Sequence, residues 1–284
     1  MIFKKNKFKI YENKIKYNKI NLIYNIELES KITNPIKKLK ILHLSDTHFQ
    51  NKKYLKEEYK LLTKIFEKEK FDLIFHTGDV IDKNVNEFEI EFQNFLKSLK
   101  SRYGKFFVLG NHNLYKKNQI KKIEKIMQKN NFKNLTNTNY KINLEEQKIK
   151  INLIGLDDAF KGKPNYNSAL KNINITQKKK EFNILLTHNL DALKKEKMRY
   201  FNLIFSGHLH AGEFNFGIFD GITYLKLVGH FKNIHKQKKG FKQLSNNLIS
   251  FIHPSNYCGI CDKTNNLFNR IFTKKAGPVI IKIK

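Results

Sequence analysis

Leu39-Lys40-Ile41-Leu42-His43-Leu44-Ser45-Asp46-Thr47-His48 joins a short apolar run to a carboxylate and an imidazole two residues apart. An apolar run cut off by Ser-Asp reads as a buried strand that ends at a turn. Asp-x-His at such an end puts both side chains on one side of a pleated backbone, where both reach one cation. Downstream, Leu55, Tyr59, Leu62 and Phe66 recur at helical spacing. The repeating unit is therefore a strand, a ligand cluster and a helix.

That unit returns along the chain. Leu73-Ile74-Phe75 precedes Gly78-Asp79, and Phe88, Phe92, Phe95, Leu96 and Leu99 form the next helical stripe. Phe106-Phe107-Val108-Leu109 leads into Gly110-Asn111-His112, with Ile120, Ile123 and Met127 after it. The second half carries strand-like runs at 149–156, 182–186, 203–205, 222–228 and 279–283. Thr187-His188 follows the second of these and Gly207-His208-Leu209-His210 the third. Alternating strands and helices imply parallel strands joined by right-handed crossovers, with ligands gathered beyond the strands' carboxyl ends. The expected fold is α/β, a four-layer α-β-β-α sandwich of two packed mixed sheets with the site at one rim. Upstream, Ile20, Leu22, Tyr24, Ile26 and Leu28 alternate as in a half-buried strand. Residues 1–36 read as an N-terminal strand and basic arm packed on a main domain of residues 37–284.

Composition narrows the classes. In 284 residues, 40% hydrophobic content is enough for a substantial core. No stretch approaches the roughly 20 apolar residues of a membrane span, and the first residues lack a signal peptide's apolar segment, so the expected location is the cytoplasm. Cys258 and Cys261 cannot staple a domain of this size, and with His253 they fall short of a structural zinc's four ligands. They read as reduced thiols. The net charge of +30 would ordinarily point to nucleic acid or an anionic membrane. The excess is almost all lysine among Asn and Ile, as AT-biased coding produces, and arginine appears only at 102, 199 and 270. Compositional drift is the first reading, with an anionic surface as the second.

A lone histidine is usually a satisfied core or surface residue, but five ligand clusters in fixed order ask for compensating cations. The order D-x-H, G-D, G-N-H, H and G-H-x-H, from Asp46 to His210, resembles the calcineurin-like metallophosphoesterases over about Lys40 to Gly212. The resemblance implies two divalent metal ions, manganese before iron or zinc. It implies Asp46, His48 and His210 as ligands of one ion, Asn111, His188 and His208 of the other, and Asp79 as the bridge. It implies that His112 protonates the leaving oxygen and that Asp82, from G-D-x-x-D, is its partner; capping of a helix is an equal reading of Asp82. The reaction implied is hydrolysis of a phosphodiester or pyrophosphate bond by a metal-bridging hydroxide. No G-x-S-x-G elbow or Walker loop competes with it.

The layout resembles a bacterial branch of membrane-associated enzymes. Some of these act on lipid-linked or nucleotide-sugar pyrophosphates such as UDP-2,3-diacylglucosamine. A basic arm such as Phe3-Lys4-Lys5-Asn6-Lys7-Phe8 would hold the chain peripherally at the inner face of an anionic bilayer. The alternatives are a nuclease or cyclic-nucleotide phosphodiesterase and, from another class, a non-catalytic scaffold of the same fold. The sequence departs from the family pattern at Asn113, Ala211 and Glu213. Asp157 and Asp158 read as a solvated turn ahead of a substrate rim. His43 and His76, facing away from the ligands, read as core, and the lysine-rich stretch from Phe231 to Lys242 reads as an exposed loop near the last ligands.

Overall fold

A strand covered on both faces carries apolar residues at consecutive positions, and the runs after residue 38 do so because both of their faces are buried. The computed structural model describes residues 9–16, 22–29, 36, 38–49, 51–82, 84–115, 117–173, 181–209, 240–245, 247–254 and 277–284. Lys9–Lys16 (β1) and Leu22–Glu29 (β2) pair antiparallel. Leu39–Leu44 (β3), Leu73–Thr77 (β4), Gly104–Val108 (β5) and Phe132–Asn134 (β6) run parallel to one another. A second sheet holds Asn139–Leu144 (β7), Ile149–Gly155 (β8), Glu181–Leu186 (β9), Leu203–Ser206 (β10), Gly240–Ser245 (β11) and Leu248–Ile252 (β12). Val279–Ile283 (β13) returns to the first sheet, parallel to β2 and antiparallel to β3.

The orders are β1-β2-β13-β3-β4-β5-β6 and β11-β12-β10-β9-β8-β7. Within the second sheet β8, β9, β10 and β12 are parallel and the outer strands β7 and β11 antiparallel. Both sheets are mixed, as the sequence leads one to expect. Between them lies one apolar cluster, to which β3 gives Leu39 and Ile41, β4 gives Phe75, β9 gives Ile184 and β10 gives Phe205. The rings of Phe75 and Phe205 stand 5.3 Å apart across the sheets.

The alternate residues of the same strands face outward under helices. Leu42, Leu44, Ile74 and Phe107 pack with α1 (Lys52–Lys68), α2 (Glu89–Ser98) and α4 (Lys117–Lys129), which follows the five-residue α3 (Asn111–Tyr115). The α2 stripe is buried as its spacing predicts. In α1 the buried stripe is instead Leu55, Leu61, Leu62 and Ile65, while Tyr59 is 41% exposed. Its tyrosine faces water because the three leucines and the isoleucine fill the arc toward the sheet. On the far side, Ile154, Leu185 and Ile204 pack beneath a thinner layer of α5 (Tyr166–Ala169) and short 3-10 turns.

β1 and the short strands β6, β7, β11 and β12 were not apparent from periodicity. The expected run at 222–228 lies outside the described residues, as does the arm at residues 3–8. Among the described residues no helix is long and apolar enough to cross a membrane.

Candidate metal centre

The strand ends that carry the clusters are laced together past the last sheet residues. Asp46 N donates to Gly78 O at 3.0 Å, His48 N to Asp79 O at 3.0 Å, and Phe49 N to Val80 O at 3.0 Å. Phe49 and Ile81 form a further parallel bridge. In the second sheet Thr187 N donates to Phe205 O at 3.1 Å and Gly207 N to His188 O at 2.9 Å. Asp46, His48, Asp79 and His208 take left-handed backbone angles, with φ of 52°, 43°, 53° and 72°. Such angles cost on the order of 1 to 3 kcal/mol each and persist only where neighbours hold them. Here the interloop hydrogen bonds do so. Gly207 allows a close approach of the loops. A Cβ there would lie 1.9 Å from Ser45 Oγ and 2.4 Å from Asp46 Oδ2.

Two sets of side chains converge, Asp46, Asp79 and His188 in one and His48, Asp82 and His112 in the other. In the first, His188 Nδ1 donates to Thr77 O at 2.7 Å. That contact turns Nε2 inward, 3.1 Å from Asp79 Oδ2, 3.9 Å from Asp46 Oδ1 and 3.0 Å from Asn111 Oδ1. His208 Nδ1 lies 3.0 Å from the same Asn111 oxygen and 3.3 Å from His188 Nε2. With Nδ1 carrying the ring proton, His188 Nε2 is a lone pair facing acceptors. These atoms repel one another unless a cation stands among them. Protonation of His188 relieves part of this: burial lowers its affinity for a proton, but Asp79 and Asp46 override burial and raise the pKa to about 10. Burial and the charge on His188 then hold His208 down to about 4. Asp79 stays well below the usual carboxylate range, burial being outweighed by His188. A buried set of imidazole nitrogens and carboxylate oxygens needing positive charge suits borderline divalent cations.

The second set joins the first through Asp79, whose Oδ2 is 3.8 Å from His48 Nε2 and whose Oδ1 accepts His112 N at 2.8 Å. Asp82 Oδ1 lies 3.0 Å from Nδ1 of His112, in a hydrogen bond, and 2.9 Å from Nδ1 of His48, in a close charge contact. Burial works to raise the pKa of Asp82, but the two histidines hold it far below the carboxylate range. The helix-capping reading of Asp82 does not apply: the following 3-10 turn is capped by Asn84, which accepts from Asn86 N. His112 is the one open member of the set, its side chain 47% exposed against 3% for His48.

All the candidate ligands and both candidate acid-base residues thus meet at one rim, apart from His210, which lies outside the described residues together with Ala211 and Glu213. The sequence pattern of the family described as calcineurin-like phosphoesterase matches residues 39–212. The chain belongs to that family. It is 30% identical over 179 residues to the uncharacterised metallophosphoesterase YkoQ of Bacillus subtilis, covering 62% of this chain and 63% of that one. To an uncharacterised metallophosphoesterase of Aquifex aeolicus it is 28% identical over 217 residues, 73% of each chain. To one of Campylobacter jejuni it is 31% identical over 189 residues, 66% of this chain and 48% of the other. The match thus spans less than two thirds of the Bacillus protein and about half of the Campylobacter one.

Beneath the rim, this calcineurin-like phosphoesterase carries a layer of buried polar groups. His43 Nε2 meets Thr77 Oγ1 at 2.8 Å, and His76 Nε2 meets Thr47 Oγ1 at 3.1 Å. His253 Nε2 lies 2.9 Å from His43 O, its ring 4.7 Å from that of His43. His43 and His76 are buried, His43 meeting the last residue of β4 and His76 the residue between Asp46 and His48. Asn113 Oδ1 accepts from Gly110 N at 3.3 Å and Val80 N at 3.4 Å, tying the Asn111 loop to the Asp79 loop. Asp158 departs from the solvated-turn reading. It is wholly buried, although Asp-Asp after a strand is usually a signal of solvent. Cys258 and Cys261 lie outside the described residues.

Proposed function

We propose that this calcineurin-like phosphoesterase hydrolyses a phosphodiester or pyrophosphate bond with the help of two divalent cations, manganese first and iron or zinc after it. Asp46, His48 and His210 would hold one, Asn111, His188 and His208 the other, with Asp79 between them. The observation that carries this reading is the crowd of acceptors around His188 Nε2, where Asp79 and Asn111 stand at 3.1 and 3.0 Å. When bound, the pair of cations would supply Lewis acidity, acidifying a water and neutralising the phosphoryl oxygens.

The remaining steps fall to the chain. With Nδ1 of His112 turned to Asp82, its Nε2 is the nitrogen left to give a proton to the leaving oxygen. Asp82, which faces Nδ1 at 3.0 Å, would fix that tautomer. Asp79 Oδ1 holds His112 N, so the residue that would bridge the cations also anchors the acid's backbone. Asp79→Asn or His208→Ala should end Mn-dependent hydrolysis of bis(p-nitrophenyl) phosphate while circular dichroism shows an intact fold. Unchanged turnover in either variant would sink the reading.

The substrate class we favour is a lipid-linked or nucleotide-sugar pyrophosphate, because arginine for reading bases is scarce; the second reading of the +30 charge, an anionic surface, would place it at a membrane face. Peripheral attachment from the cytoplasmic side through residues 1–36, ahead of a phosphoesterase domain at 37–284, fits that class. Turnover of nucleotide-sugar, cyclic-nucleotide and nucleic-acid substrates with Mn, together with sedimentation on anionic vesicles at low salt, separates this from a nuclease. Metal analysis separates it from a scaffold, which would bind none.

A further inference from the structure

At the rim, hydrogen bonds run from the second sheet to the first. His188 Nδ1 donates to Thr77 O at 2.7 Å. His208 N donates to the Asp46 carboxylate, at 3.1 Å to Oδ1 and 3.2 Å to Oδ2. Both of these use candidate ligands, and a third does not. His253 follows β12, and its Nε2 lies 2.9 Å from His43 O on β3. A carbonyl oxygen can only accept, so Nε2 carries a proton and donates it. His253 is wholly buried and stands well beyond the matched family pattern, which ends at residue 212.

His253 is tied to both sheets. Its backbone N donates to Ser206 O at 2.7 Å, one step past the pairing of Ser206 with Ile252 that joins β10 to β12. Ser206 stands two residues before His208, and His43 three before Asp46. One buried residue therefore spans the strand ends that lead into two ligand loops, and those loops press on each other where Gly207 meets Ser45 and Asp46. From His43 the contacts continue to the centre: its Nε2 meets Thr77 Oγ1 at 2.8 Å, and Thr77 O takes the proton of His188 Nδ1. The ring of His253 also packs edge-on against His43 at 4.7 Å and near Phe251 at 6.4 Å. Packing of that kind needs a ring, which phenylalanine would supply without the cost of burying a polar N–H. A tie between the sheets needs the donor.

We propose that His253 is a positioning residue of the metal centre: by tying the end of β3 to the end of β10, it sets the spacing of the Asp46 and His208 loops on which a pair of cations depends. The inference rests on the two-metal reading above. Two substitutions separate donor from ring. His253→Gln keeps an N–H near the place of Nε2 and drops the ring, whereas His253→Phe keeps the ring and drops the N–H. Mn binding is followed by titration calorimetry at a temperature where each variant is folded, and thermal unfolding is measured in EDTA and at one fixed Mn concentration. In His253→Phe the weaker Mn equivalent should bind about tenfold less tightly and the rise in unfolding temperature given by Mn should shrink, while His253→Gln keeps both near wild type. If His253→Phe does not fold, His253→Asn, whose amide stops short of His43 O, takes its place with the same expectation. Wild-type Mn affinity in the variant without the donor overturns the inference and leaves the two-metal reading standing. So does an equal loss of affinity in His253→Gln, because the ring would then be what counts. A lower unfolding temperature in EDTA with an unchanged rise on adding Mn assigns His253 to the fold alone and overturns the inference as well. A wild-type protein that binds no Mn overturns both.

Discussion

Oδ1 of Asp82 lies 2.9 Å from Nδ1 of His48, and the same oxygen accepts the hydrogen bond of His112 at 3.0 Å. One carboxylate oxygen therefore orients both a candidate metal ligand and the candidate acid. Asp82→Asn should lower Mn affinity about tenfold and kcat by a factor of roughly 100 or more, whereas His112→Ala should lower kcat alone. Calorimetry and steady-state kinetics on the two variants test this. Wild-type Mn binding by Asp82→Asn would show that the His48 contact contributes nothing.

The open position of His112 makes its proton matter in proportion to how badly the leaving oxygen needs one. Against an alkyl ester, His112→Ala should cost about 10²- to 10⁴-fold in kcat/KM. Against a p-nitrophenyl ester, whose oxygen departs as a stable anion, the loss should be far smaller. Equal losses on the two esters would remove His112 from the role of acid.

Gly207→Ala puts a methyl group into Ser45 and Asp46, both of which are completely buried. The neighbouring atoms belong to packed loops, so the expected destabilisation is about 1 to 3 kcal/mol, with Mn binding weakened because Asp46 must move. Urea unfolding followed by metal titration measures both. A variant with wild-type values for each would mean that the two loops are less tightly apposed than they are here.

Acid should unfold this protein through its buried histidines. Burial, and after it the charge of His253, hold the pKa of His43 well below 6.5, and burial holds His76 down to about 3. Below about pH 6.5 the unfolded chain takes up protons that the folded chain refuses. Stability from these groups is complete above that pH and is lost as pH falls toward the folded values, at up to about 1.4 kcal/mol per pH unit for each proton. His76→Gln should flatten the urea midpoint between pH 6.5 and 4 in EDTA. An unaltered slope would mean that His76 is protonated in the fold.

Cations should stabilise the fold as well as activate it. Mn at a hundred times its dissociation constant should add about 2.7 kcal/mol for each occupied site. The thermal midpoint should rise with Mn and fall again on adding EDTA. A midpoint indifferent to both would leave the acceptors around His188 satisfied by protons alone.

The rim was legible in the sequence because four of the five clusters sit where an apolar run meets a turn residue: Ser45 before Asp46, Gly78 before Asp79, Gly110 before Asn111, Gly207 before His208. Local pattern and local structure coincide there. β13 was readable as a strand, yet its place between β2 and β3 depends on a partner more than 230 residues away, which no local period encodes. The short, polar β6 and the lysine-rich β1 are strands by virtue of their neighbours, with little apolar alternation to announce them. Asp158 shows the same limit. A doubled aspartate carries the composition of a surface turn, yet Asp158 is buried, with Oδ1 accepting from Phe160 N and Lys161 N.

The left-handed turns at Asp46, His48, Asp79 and His208 bear on which ion enters. A residue held in that conformation by hydrogen bonds to the next loop has little freedom to slide outward as an arriving ion demands. Selection then falls to ionic radius, since the ligands cannot travel to meet a larger guest. Calcium, which prefers longer bonds and adaptable cages, should therefore bind more weakly here than the smaller transition ions, and competition of calcium against Mn in titration calorimetry reads the difference.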